Sequence, residues 1–94
     1  NTFGIGNVTI SGNTLTTTNT NGNFLISPNG TGLVVVSTGT QLTYQGSAPG
    51  SVASNSIIYA VTPGAGLSGL YYINTVSNDE LVSKRKAVAL ALIM

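Results

Sequence analysis

Apolar side chains recur two positions apart in short runs over the first forty residues: Val8 with Ile10, Phe24 with Ile26, Val34 with Val36. That is the period of a strand with one apolar face. The runs sit in a degenerate repeat, Gly6-Asn7-Val8-Thr9-Ile10-Ser11, then Gly22-Asn23-Phe24-Leu25-Ile26-Ser27, then Gly32-Leu33-Val34-Val35-Val36-Ser37. Asn21-Gly22 and Asn29-Gly30 tolerate positive φ, and Pro28 presets a turn while removing a ladder donor. Leu15-Thr16-Thr17-Thr18 adds a fourth β-prone stretch. The pattern predicts short strands joined by tight turns. Three or four such strands expose one thin apolar face and close no core alone, a problem that repeat architectures solve by stacking on a neighbour. Here the neighbour is expected to be another copy of the chain.

Beyond a Gly-, Ser-, Ala- and Pro-rich stretch from Gln45 to Ser54, strand patterns resume at Ile57-Ile58-Tyr59-Ala60-Val61 and Leu70-Tyr71-Tyr72-Ile73, with Pro63-Gly64-Ala65-Gly66 as the turn between them. The segment from Glu80 to Met94 supports two readings. Ser77 with Glu80 fits a capping box, Glu80 and Lys84 stand at i,i+4, and Ala and Leu favour a helix. Against this, Val88, Leu90, Leu92 and Met94 alternate with Ala87, Ala89 and Ala91 as a strand with one large and one small face would. A strand from about Ala87, preceded by a hairpin turn or one helical turn, is the expectation. The resulting plan is all-β: a repetitive stalk over residues 1–44, a linker over 45–54 and a small head over 55–94.

Composition narrows what such a chain can do. Its 94 residues suffice for one small domain, a size at which a monomer buries only about 60 to 65 % of its unfolded surface. With no Cys for a disulfide and no His for zinc, oligomerisation is the stabilising aid left. Charged residues make up 5 % of the chain and mean hydropathy is +0.32, so Thr, Ser, Asn and Gly must supply the solvated surface. Such a surface suits an extracellular or virion setting. A net charge of +1 offers no basic field for nucleic acid. The apolar run from Ala87 to Met94 is far short of the about 20 residues that span a bilayer, so no membrane insertion is expected, and its place after Lys84, Arg85 and Lys86 is the wrong end for a targeting segment.

Candidate chemistry is sparse, and no enzyme and no cofactor are expected. Asp79 and Glu80 are the only acids; as neighbours on a strand they would point apart, unlike the paired carboxylates of a glycosidase, and solvated turn positions are the expectation for both. They are also thin provision for Ca²⁺, which takes six to eight oxygens. Ser83-Lys84-Arg85-Lys86 fits S-x-x-K without the partner motifs of a serine hydrolase. Gly4-Ile5-Gly6 fails as a dinucleotide fingerprint because Thr9 stands where the third Gly belongs, and reads as a turn. Lys84, Arg85 and Lys86 could meet an anionic partner, although a charged edge that discourages strand-to-strand aggregation is the favoured reading.

Gly12-Asn13-Thr14 followed by Thr18-Asn19-Thr20-Asn21-Gly22-Asn23 and Leu25-Ile26-Ser27-Pro28-Asn29-Gly30-Thr31-Gly32 resembles stalk segments of tailed-bacteriophage fibre proteins. The tail Asp79-Glu80-Leu81-Val82-Ser83-Lys84-Arg85-Lys86-Ala87, with its alternating apolar end, resembles the C-terminus of fibre-like proteins of marine and cyanobacterial phages. Together these stretches cover roughly half of the chain. The resemblance implies an obligate parallel homotrimer with an interwoven β-prism or β-helix stalk and a small C-terminal β head. Its trimer core would take Val8, Ile10, Phe24, Ile26, Val34 and Val36, with Val88, Leu90 and Leu92 in the head core. The implied role is a virion fibre, head fibre or decoration protein. Its partners would be further copies of itself, other virion proteins or a host-surface glycan, with attachment or presentation as the function. Only Tyr59, Tyr71 and Tyr72 supply aromatic rings to the expected head, fewer than receptor-binding tips of such fibres usually carry.

The rival expectation is a small binding module without catalysis, a glycan- or ice-binding β-solenoid, suggested by the alternating row Thr14, Thr16, Thr18 and Thr20. A regular ice-binding array needs such a row in successive coils, and Thr9, Leu25 and Val35 do not supply it.

Overall fold

The computed structural model describes residues 2–92. The fold is mostly β, with two three-stranded antiparallel sheets and one short helix, and the chain divides into two units, Asn1–Thr38 and Gly39–Met94. The stretch 45–54 lies within the second unit and carries neither helix nor strand.

The first sheet is a meander of β1 (Thr2–Ile5), β2 (Val8–Ser11) and β3 (Thr14–Thr17) in the order β1-β2-β3. Ile5 pairs with Val8 and Ser11 with Thr14, which leaves Gly6-Asn7 and Gly12-Asn13 as two-residue loops. Gly6 and Gly12 have φ of 59° and 58°, the positive value that a hairpin turn with Gly at its first central position requires. The working repeat is therefore Gly-Asn followed by four strand residues, recurring after six positions, a shorter period than the repeat expected from Gly6, Gly22 and Gly32. In this register Ile10 faces Leu15 on one side of the sheet, while Thr9 faces Thr16 and Ser11 faces Thr14 on the other. β3 ends at Thr17, so Thr18 and Thr20 do not continue a strand row with Thr14 and Thr16.

Two expected strands do not form within the chain. Residues 23–28 and 33–37 carry neither strand nor helix, although the turns that bound them are present: Asn21 and Gly30 have φ of 62° and 65°, and the Gly22 and Gly32 N–H groups donate to Asn19 and Asn29 carbonyls at 3.3 Å. The turn chemistry is present, but neither segment joins a ladder.

The second sheet, ordered β4-β5-β6, joins β4 (Ile57–Ala60), β5 (Leu67–Ile73) and β6 (Asn78–Val82). β4 and β5 match the expected strands, with β5 starting three residues early. β6 occupies positions expected to be a turn. Asn74 makes the β5–β6 turn possible: its side-chain oxygen accepts the Val76 and Ser77 N–H groups, both at 2.9 Å. One face of this sheet carries Tyr59, Tyr71 and Glu80 in register, and the other carries Ile58, Tyr72 and Asp79. Tyr59 and Tyr71 stack with centroids 5.5 Å apart.

The C-terminal segment is α1 (Lys84–Leu92), which corrects the expected strand from Ala87. Ser83 caps it, accepting the Lys86 N–H on its hydroxyl at 3.1 Å, and the run Ala87-Val88-Ala89-Leu90-Ala91-Leu92 has enough Ala and Leu for helical propensity to prevail over the alternation. The cap signal belonged to Ser83, not to Ser77 with Glu80. Val88 and Leu92 stand on exposed turns of this helix; the side chain of Leu90, with Met94, lies outside the described residues.

Because Gly12 sits in open space, Gly12→Ala isolates the backbone cost of positive φ. It should destabilise the first unit by about 1–2 kcal/mol, and Gly12→Asn should recover most of that loss, both read from denaturant midpoints.

Candidate functional site

Glu80 is the best-built polar centre of the chain. It lies half-buried on β6, and its carboxylate reaches the loop between β4 and β5 and the start of β5, accepting the N–H of Gly66 at 2.7 Å, of Gly69 at 2.9 Å and of Gly64 at 3.0 Å. Burial of the carboxyl raises its pKa, but the backbone hydrogen bonds from Gly69, Gly64, Gly66 and Ser68 outweigh that and hold it below the ordinary glutamate value. Glu80 is thus a structural anchor, which corrects its expected place as a solvated turn residue.

The loop sequence is what the carboxylate requires. A Cβ on Gly66 would come within 2.8 Å of the carboxylate oxygen, and Gly69, at φ 72°, would bring one within 3.1 Å of the Val61 carbonyl oxygen. Gly64-Ala65-Gly66-Leu67-Ser68-Gly69 reads G-x-G-x-x-G, a spacing sequence reasoning passed over. In this chain it runs into the first residues of β5 and cradles the chain's own glutamate, so the N–H groups of its three glycines are already engaged. Leu67 within it has φ 71°, a strained value for a non-glycine residue. The Ser68 hydroxyl ties the loop to β6 by donating to the Leu81 carbonyl, and the Ser83 N–H donates to the Gly66 carbonyl at 2.9 Å, fixing the start of α1. Tyr71 pairs with Glu80 across the sheet; burial, then the Glu80 charge, pushes its phenol pKa up.

Two concave surfaces lie in the same unit. A groove of about 470 Å³ runs between Leu42 and Tyr44 on one wall and Ile58, Ala60 and Leu70 on the other. Tyr44 bridges to Ala60, and its ring lies over Gly69. A second, open depression of about 340 Å³ is lined by neutral polar groups, among them Ser54, Asn55, Asn74 and Ser77, beside Tyr72. Asn74 already donates to Ser56 and accepts two N–H groups there.

Lys84 and Arg85 are exposed and Lys86 half-buried, all in the first turn of α1. They line no strand edge, which corrects the expected protective role. Three cations at a helix N-terminus oppose its dipole, and they form no ion pair among the described residues. Among those residues no group of three metal-ligating side chains occurs, and no helix is long and apolar enough to cross a membrane.

The expected stalk residues do not meet in a shared core within one chain. Val8 is half-buried, while Ile10, Phe24, Ile26, Val34 and Val36 are exposed. A graded alternation persists: Phe24 is 45 % exposed and its neighbour Leu25 82 %, and Val34 and Val36 are likewise less exposed than Leu33 and Val35. Comparison with protein-family models, with curated proteins and with solved structures finds no match to the chain.

The lowered Glu80 pKa makes stability depend on acid. The folded pKa lies below the unfolded value near 4.5, so the contribution is fully present above that value and is lost as pH falls through the folded pKa. Melting temperature should therefore fall as pH drops below 4.5. Glu80→Gln should lower it at pH 7 and flatten that acid limb; an unchanged acid limb would remove Glu80 from the account.

Proposed function

We propose that this chain is a structural segment of a homotrimeric virion fibre, an all-β assembly that presents a tip for host-surface attachment or decorates the particle, without turnover. The supporting observation is how little one chain buries. Among the described residues Tyr59 and Ala60, each 3 % exposed, are the only buried hydrophobic side chains besides glycine, and twenty large hydrophobic residues are exposed. Accessible surface totals 7753 Å², where two separate compact bodies of these sizes would expose about 6,100 Å². An apolar excess of this kind marks surfaces that meet other chains.

In the proposed trimer, residues 23–28 and 33–37 of each copy find their strand partners in the other two, as a β-prism or β-helix stalk requires, and Phe24, Ile26, Val34 and Val36 turn toward the threefold axis. The resemblance of the Asn-, Gly- and Thr-rich stalk to phage fibre stalks is the second support and gives the virion, outside the host cell, as the setting. The polar depression beside Tyr72 favours a second reading, a glycan-binding module. It ranks lower because Asn74, the best-placed amide there, is engaged within the fold.

Light scattering and sedimentation at micromolar concentration should give three times the 9.5 kDa chain mass; a folded monomer would sink the proposal. Phe24→Ala should cost about 3–5 kcal/mol for each ring buried in the assembly, lowering the melting temperature of the trimer, whereas an unchanged melting temperature would take Phe24 out of the core.

A further inference from the structure

The second unit presents two unpartnered apolar surfaces of opposite shape. The first is the groove on the sheet face bearing Ile58, walled by Leu42, Tyr44 and Leu70, where Ile58 itself is 64 % exposed. The second is α1. Its nine residues are too few to hold a helix in water unaided, because isolated helices below about 12 to 15 residues are marginal. From Ala87 onward it is apolar on all sides, a composition found in helices that are covered. Yet Ala87, Val88, Ala89, Ala91 and Leu92 are exposed, Leu92 at 81 %. A sheet face and a helix of this kind each need a second layer, and each is the kind of layer the other needs.

Resting on the homotrimer reading above, we infer that α1 of one copy seats its Val88 and Leu92 side chains in the Leu42–Tyr44–Ile58–Leu70 groove of the next copy. Three observations select a second copy of this chain as the occupant. The first is area. The surface in excess of two compact bodies is about 1,700 Å² per chain, about twice the 800 Å² that a stable interface takes from each partner, so it can serve a contact of this unit beside the stalk contacts proposed above. The second is charge. Glu80 is enclosed by backbone N–H groups, which leaves Asp79, exposed on the groove's face of the sheet and holding only a long 3.5 Å hydrogen bond from the Tyr72 hydroxyl, as the carboxylate that can meet Lys84, Arg85 and Lys86. The third is topology: a head-to-tail contact uses two different patches, and closes into a ring when the rotation between copies allows it.

The chain has no cysteine, so placed thiols report cleanly. Full-length chains carrying Ile58→Cys and tagged full-length chains carrying Leu92→Cys are co-expressed, and the purified assembly is treated with a short bis-maleimide. Both positions are exposed, and the melting curve of each variant beside the unsubstituted protein verifies folding. The expected result is a prominent cross-linked dimer containing one tagged and one untagged chain, at least tenfold above that from Thr62→Cys paired with Leu92→Cys. A doubly substituted chain, Ile58→Cys with Leu92→Cys, should give a covalent trimer. A trimer that stays intact but yields no 58–92 product overturns this assignment and leaves the homotrimer standing, its groove covered by something else. A 58–92 cross-link formed within a monomer overturns it too. An unsubstituted protein that sediments as a monomer removes the homotrimer reading and this inference together.

Discussion

A three-stranded antiparallel sheet has two faces, and nothing of its own to lay against either. Both sheets of this chain are of that size, and the apolar residues they carry outnumber the places one chain offers to hide them. The first sheet places Ile10 beside Leu15, both of them still exposed. The second buries Tyr59 through the Tyr71 stack and leaves Ile58 outside. The apolar runs Phe24-Leu25-Ile26 and Leu33-Val34-Val35-Val36 add to the same shortage, since neither joins a ladder and all seven side chains are exposed.

Where apolar burial is missing, the second unit is held by polar contacts of unusual economy. Glu80 gathers three loop N–H groups, the Ser68 hydroxyl holds the adjoining carbonyl of β6, and Asn74 closes the turn between strands. The Glu80 and Ser68 contacts join groups eleven to sixteen residues apart in sequence and so fix a register, while the Asn74 contacts are local to their turn. The Tyr59 hydroxyl adds another by donating to the Asn78 side chain across the sheet. The glycines at 64, 66 and 69 let the backbone approach the carboxylate, so the loop's flexibility in the sequence becomes rigidity in the fold.

Much of this was legible in the residues and some was not. The β character, the turns at Asn21 and Asn29, and strands β2 to β5 follow from period-two patterning and turn chemistry, which act over a few residues. What escaped depends on a partner distant in sequence for β6 and on a local ambiguity for the helix. β6 was hidden because Asn78-Asp79-Glu80 looks like a turn until the Gly64–Gly69 loop is placed opposite it. The helix was hidden because Ala-Val-Ala-Leu-Ala-Leu satisfies both periods, and the deciding cap is one serine three residues before Lys86. The G-x-G-x-x-G spacing could have been found at Gly64, but no local rule says that its ligand is a glutamate eleven residues beyond the last glycine. The residues around Phe24 and Val34 belong to a different case, since period-two patterning is present there without a strand in the single chain.

The way Glu80 is neutralised bears on the surroundings in which this fold can operate. An ion pair between exposed side chains weakens as dissolved electrolyte accumulates, because mobile counter-ions screen it over about 8 to 10 Å at ordinary ionic strength. The Glu80 carboxylate is matched by peptide dipoles at 2.7 to 3.0 Å, too close for an ion to enter between them. This contact is therefore screened far less by dissolved salt than an exposed ion pair would be, while remaining open to attack by protons.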